Sequence, residues 1–162
     1  MEKQEILRFH DGNATLVVDA RYFPLTIYTW FGAATMSLVD EYFKARWQFD
    51  ARAQAAKTKV IIVTDLSAFG APPATIRKAL AERAKDTDKS DALHCYVTCV
   101  PNSLLRGVVT ALQWIAGDQA KQNTNLASMM LTLRFALNEY EKLGITVPNV
   151  DPASYAAPEP NG

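Results

Sequence analysis

The side chains that could do chemistry are few. Asp65 and Ser67 follow the run Val60-Ile61-Ile62-Val63-Thr64, whose unbroken β-branched character marks a strand covered on both faces. They stand just past the carboxyl end of a central strand, where open α/β sheets place ligands. The plainer role for Asp65 is to accept hydrogen bonds from amides of its own loop, as aspartates in turns do. Arg106 falls in the first turn of an apolar helix, where the positive end of the dipole disfavours a cation. A negative partner would offset that cost, either an internal carboxylate, with Asp65 the first candidate, or a bound anion. Catalysis by Asp65, Ser67 and Arg106 is the third and least supported of three functional readings.

Other chemistries are excluded by spacing. His10 and His94 have no carboxylate or cysteine at ligand spacing, so no metal is expected. Cys95 and Cys99 lie on one strand, about 13 Å apart, while a disulfide tolerates less than about 7 Å. They lack the C-x-x-C spacing of a redox pair and read as two small buried side chains in a reduced compartment. No serine stands in a G-x-S-x-G context and no glycine-rich phosphate loop is present. No cofactor is expected, and the chain reads as a non-enzyme.

The elements that must position these residues follow from apolar spacing. Ile6 to His10, the turn Asp11-Gly12-Asn13, and Ala14 to Asp19 predict an N-terminal hairpin over 5–19. Leu25 to Phe31 alternates as a strand and Gly32 ends it. Thr35 or Ser37 caps a helix that runs to Lys57. Pro72-Pro73 opens a second helix, and Asp86 to Asp91 is a polar connector. Leu93 to Val100 is a strand expected to run parallel to Val60–Thr64, adjacent or nearly adjacent to it. Asn102 or Ser103 caps a third helix. Its Leu104, Leu105, Val108, Val109, Leu112, Trp114 and Ile115 predict packing on nearly every side. Gly107 is expected to let that helix approach the sheet closely. Residues 124–144 fit either one helix, or a strand around Ala127–Leu131 followed by a helix capped by Thr132 and ended by Gly144. Pro148, Pro152, Pro158 and Pro160 among small polar residues predict a disordered Pro-rich tail over 147–162. The expectation is one α/β domain over 1–146, with a mixed, mostly parallel sheet of four to five strands and about four helices.

Composition narrows the partners. The 162 residues make one domain. Seventeen lysines and arginines cancel 17 aspartates and glutamates, which argues against a broad nucleic-acid footprint. The best apolar stretch, Leu104 to Gly117, is broken by Arg106 and is too short to span a bilayer, so no membrane insertion is expected. The start, Met1-Glu2-Lys3-Gln4-Glu5, has no signal-peptide core. A cytoplasmic location is the expectation.

The stretch Val60 to Ser67, followed by a small loop and a helix, resembles the central strand and loop of a STAS domain, the fold of bacterial anti-sigma-factor antagonists. A closer resemblance is to bacterial SpoIIAA-like, or STAS/SEC14-like, proteins. They share Phe23-Pro24-Leu25 entering a strand that ends at Gly32, and Ser103-Leu104-Leu105-Arg106-Gly107-Val108-Val109-Thr110-Ala111-Leu112 with Trp114 on a late helix. The resemblance covers about residues 14–144 and implies a STAS-like fold, with no assigned activity to carry over. STAS antagonists carry a phosphorylatable serine at the start of the helix after the central strand. Here that position falls within Ala71-Pro72-Pro73-Ala74-Thr75, which has no serine, leaving Thr75 or Ser67 as substitutes.

The functional expectation is a non-enzymatic regulatory or scaffold module that binds a protein partner. The alternative is a carrier or sensor of a lipid or small apolar ligand, since SEC14-like domains share this general topology. Phe43 and Trp47, with Tyr42 and Phe49 about 100° around the first helix, make an apolar arc wider than one sheet contact needs. Part of it is therefore expected to be exposed and to support a homodimer.

Overall fold

The computed structural model describes residues 5–87, 90–116 and 122–162, without the side chains of 87, 108 and 111–116. Met1–Gln4, Asp88 and Lys89 of the polar connector, and the side chains of Val108, Leu112, Trp114 and Ile115 thus lie outside the described residues. The opening hairpin turns at Gly12, whose φ of +58° is left-handed, and joins β1 (Ile6–Asp11) to β2 (Ala14–Asp19). β2 pairs antiparallel with β3 (Leu25–Ala33). From β3 onward the ladder is parallel through β4 (Val60–Gly70), β5 (Leu93–Cys99) and β6 (Asn123–Leu126). The six strands lie in chain order. That is more than the four to five expected, because both hairpin strands join the sheet and a short sixth strand completes it. β4 and β5 are adjacent and parallel, and their apolar residues are buried on both faces.

Strands that advance in one direction through right-handed crossovers put every crossover helix on the same face. Val39 and Phe43 of α1 (Met36–Ala55), Ile76 and Leu80 of α2 (Ala74–Thr87), and Leu105 and Val109 of α3 (Ser103–Ala116) accordingly share one core cluster. α4 (Met129–Leu143) follows the last strand and packs on the opposite face. There Leu133, Ala136 and Tyr140 share one core cluster with Leu25, Ile27, Ile61, Val63 and Val97. Among the described residues no helix is long and apolar enough to cross a membrane.

The open choice over 124–144 resolves as strand then helix, but the strand comes earlier than Ala127–Leu131. The helix is capped by Ser128, whose Oγ accepts from Leu131 N at 3.2 Å. Thr132 lies inside the first turn, its hydroxyl bonded back to Ser128 O at 2.7 Å. Gly144 ends α4 at φ +69°. α1 is capped by Thr35 and α3 by Asn102, whose Oδ1 accepts from Leu104 N at 2.9 Å.

Over its fully described residues, 103–107, 109 and 110, α3 is not buried on every side. Leu105 and Val109 face the core, whereas Leu104 is 83% exposed and Arg106 and Gly107 are exposed beside it. A Cβ at Gly107 would meet nothing within 4 Å, so its missing side chain serves no close approach to the sheet. Composition predicts disorder over 147–162, but the structure seats this segment against the sheet. Val150 and Tyr155 pack into the α4-side core, and Arg8 Nε donates to Glu159 O at 2.9 Å.

Candidate functional site

β4 carries its apolar run to Thr64 and delivers Asp65 and Ser67 at the carboxyl end of the sheet. Alternation places Asp65 with Ile61 and Val63 on the α4 face. Its Oδ1 accepts from Ser67 N at 3.0 Å and from Ser67 Oγ at 2.5 Å. A carboxylate here caps the backbone two residues on, and because β4 runs on to Gly70 both residues stand within the strand, not past its end as expected. Ser67 Oγ lies 3.7 Å from Cys99 Sγ on the neighbouring strand. Burial, and then the nearby Asp65 charge, push the Cys99 thiol up, against hydrogen bonds with Ser67 and Thr132. Burial pushes Cys95 up to about 12. Both cysteines are therefore protonated thiols and poor nucleophiles at neutral pH.

Asp65 and Ser67 are thus brought together, but among the described residues no histidine bonds to either. His94 lies at the amino end of β5, about a strand length from Asp65. Its Nε2 is 3.1 Å from Glu139 Oε2. That bond, and then Lys142, hold the Glu139 carboxyl below its usual range. The sheet order adds a second argument. Ligand crevices in open α/β sheets form where strand order reverses, and strands in chain order have no reversal.

Arg106 does not join this group. Its Nη2 donates to Val100 O at 3.2 Å, and among the described residues no ion pair links it to Asp65. α3 sits on the α1 side of the sheet while Asp65 faces α4, so the sheet separates them. The expected carboxylate partner is replaced by a backbone carbonyl just past β5. Thr75, the second residue of α2, is exposed, as is Ser67.

The expected broad aromatic arc on α1 is also corrected. Phe43 is 3% exposed, and Tyr42 and Phe49 are buried with it. α1 uses its whole apolar width. Tyr42 meets Tyr28 and Trp30, with centroids 5.1 and 5.6 Å apart, Phe49 meets Phe23 at 6.3 Å, and Arg83 of α2 lies 5.9 Å from the Phe43 ring centroid. Trp47 alone of these side chains stays out, 60% exposed.

Sequence reasoning missed two buried charged groups. Arg46 and Asp50, one turn apart on α1, are 1% and 5% exposed. The Arg46 guanidinium lies 4.9 Å from the Tyr96 ring centroid, 5.7 Å from Tyr42 and 5.8 Å from Phe43. The signal was present, since both fall on the stripe of Val39, Tyr42, Phe43 and Phe49. The second group is Asp19, 1% exposed. Its carboxylate takes Arg21 Nε at 2.9 Å, Arg21 Nη2 at 2.7 Å and the Tyr155 hydroxyl at 3.2 Å. Hydrogen bonding to Asp19 raises the Arg21 guanidinium above its usual value. Burial, then the Asp19 charge, push the Tyr155 phenol up.

Among the described residues no three His, Cys, Asp or Glu side chains converge as a metal ligand set. No family model matches the chain, and no curated protein matches it.

Proposed function

We propose that the chain is a non-enzymatic regulatory or scaffold module that acts by protein–protein contact through the outer face of α1. The observation that carries this reading is Trp47. It is an indole 60% exposed in mid-helix, between Phe43 and Phe49 that are buried. Met36, 42% exposed, lies three turns away on the same stripe. Tryptophan is the side chain most enriched at binding hot spots because it buries a large area with few rotatable bonds. At the sheet's carboxyl end, by contrast, Asp65 and Ser67 spend their hydrogen bonds on each other.

The partner in this reading is a second copy of the chain, joined about a two-fold axis that uses the stripe twice. The zero formal charge offers little long-range repulsion to that association. A STAS-like, SpoIIAA-like assignment and a cytoplasmic setting belong to the same proposal. Support for them comes from Phe23-Pro24-Leu25 at the start of β3 and from the helix-linked parallel strands β3 to β6.

Lys44, exposed and one turn from Trp47, gives the test. A lysine cross-linker should yield a Lys44–Lys44 product, which arises only between two copies, and Trp47→Glu should abolish it. No such product from the unmodified chain sinks the self-association. A lipid that copurifies in stoichiometric amount, seen by mass spectrometry, would favour the carrier reading instead.

A further inference from the structure

The sheet face opposite α1, α2 and α3 is covered by a helix over only part of its width. α4 packs over β4, β5 and β6, while over β1 and β2 the cover is the irregular segment 145–162. Pro148, Pro152, Pro158 and Pro160 each remove a backbone donor, which bars this segment from pairing as a seventh strand. Among the described residues its backbone hydrogen bonds beyond Ile145 stay within it: Val150 N to Pro148 O, Ser154 N and Tyr155 N to Asp151 O, and Gly162 N to Glu159 O.

Side chains hold it down. Tyr155 donates its hydroxyl to Asp19 Oδ2 at 3.2 Å and meets Tyr22 edge-on, with centroids 6.3 Å apart. Val150 is 6% exposed in the α4-side core. Arg8 Nε takes the Glu159 carbonyl at 2.9 Å. A main chain without sheet pairing, fixed by two anchor side chains and one carbonyl, has the anatomy of a docked peptide. The anchor point is built without it. Arg21 holds both Asp19 oxygens, so the acceptor for a tyrosine hydroxyl is already oriented by β2 and the turn that follows.

We propose that this sheet face is a docking surface for a proline-spaced, tyrosine-bearing segment with a turn at 152–154, occupied in cis by residues 148–160 and open in trans to the same segment of a second copy. A strap from a second copy reproduces each of these contacts, so exchange changes only which chain supplies them. The hinge is Gly144, left-handed at φ +69°, followed by exposed Thr146 and Val147. The cis strap acts at high effective concentration, so trans binding is masked until the cis strap loosens. This surface lies on the other side of the sheet from Trp47 and does not depend on the α1 contact.

The test titrates a fluorescent peptide of residues 145–162 into three full-length chains: unmodified, Tyr155→Phe and Tyr155→Ala. The substitutions weaken only the cis strap, because the peptide keeps its own tyrosine. Saturable binding should be about tenfold tighter to the Tyr155→Ala chain than to the unmodified one, following the rise in the open fraction. The Tyr155→Phe chain should fall between. A peptide carrying Tyr155→Ala should bind all three at least several-fold more weakly. If circular dichroism shows the alanine chain unfolded, the phenylalanine chain carries the test with a smaller change in the same direction. Equal affinity for all the folded chains, or no saturable binding to any, overturns the proposal.

Discussion

On the face covered by α1, α2 and α3, the buried charges are Arg46 and Asp50, set in the middle of a helix and packed under Tyr42, Phe43 and Tyr96. On the other face the buried carboxylates are Asp19 and Asp65, and each is held by the residue two positions on, Arg21 or Ser67. The first arrangement exists only when α1 is docked on the sheet. The second is local and persists when its cover moves. One face is therefore committed to a fixed core, while the other keeps its charges satisfied under a segment that side chains alone hold in place. Core and docking surface differ here less in apolar content than in how their polar groups are satisfied.

Breaking the helical face should have the largest effect. Arg46→Ala leaves the Asp50 charge in the core and should cost about 3–5 kcal/mol in urea unfolding, whereas replacing both charges by apolar residues of similar volume, Arg46→Met with Asp50→Leu, should cost far less. Next is Tyr140 of α4, whose Oη accepts from Ile61 N at 3.0 Å and donates to Lys59 O at 3.2 Å. Tyr140→Phe strands two main-chain groups beside the core and should cost about 1–3 kcal/mol. At the locally held carboxylates the expectation is smaller. Ser67→Ala removes one hydrogen bond at an exposed position and should cost about 1 kcal/mol or less. A loss as large as that of Arg46→Ala would erase the distinction between the faces.

The smallest effect is a pH dependence. Glu139 has its folded pKa held below the usual carboxylate range by His94 and then Lys142. Its contribution to stability is complete above the ordinary carboxylate pKa and is lost as pH falls through the lower folded value. Glu139→Gln should therefore flatten the acid limb of stability against pH slightly. An unchanged acid limb would show that the pair contributes nothing.

What could be read from the chain was whatever burial imposes on long apolar runs. Val60–Thr64 and Leu93–Val100 are legible as adjacent parallel strands because burial on both faces removes alternation. β6 was placed too late because Asn-Thr-Asn-Leu at a sheet edge has no apolar pattern to read. The tail's placement is not legible in composition, which averages over prolines and small residues, while two side chains, Val150 and Tyr155, do the anchoring. Arg106 was given a carboxylate because dipole reasoning weighs charges and overlooks a nearby carbonyl such as that of Val100. On α1 the apolar arc was counted correctly, but its buried width depends on α2 lying alongside, which no local pattern states. Asp65 and Ser67 are legible as a pair because polar residues directly after a buried apolar run are a local signal, but the run does not mark the strand's end, since β4 continues through them to Gly70.

Sedimentation velocity of the unmodified chain and of Trp47→Glu, across a concentration series reaching about tens of micromolar where a weak dimer shows, tests the binding reading most directly. The unmodified chain should shift toward a dimer as concentration rises, while Trp47→Glu should stay monomeric with an unchanged unfolding midpoint. A monomer throughout for the unmodified chain, or a dimer that survives Trp47→Glu, would contradict it.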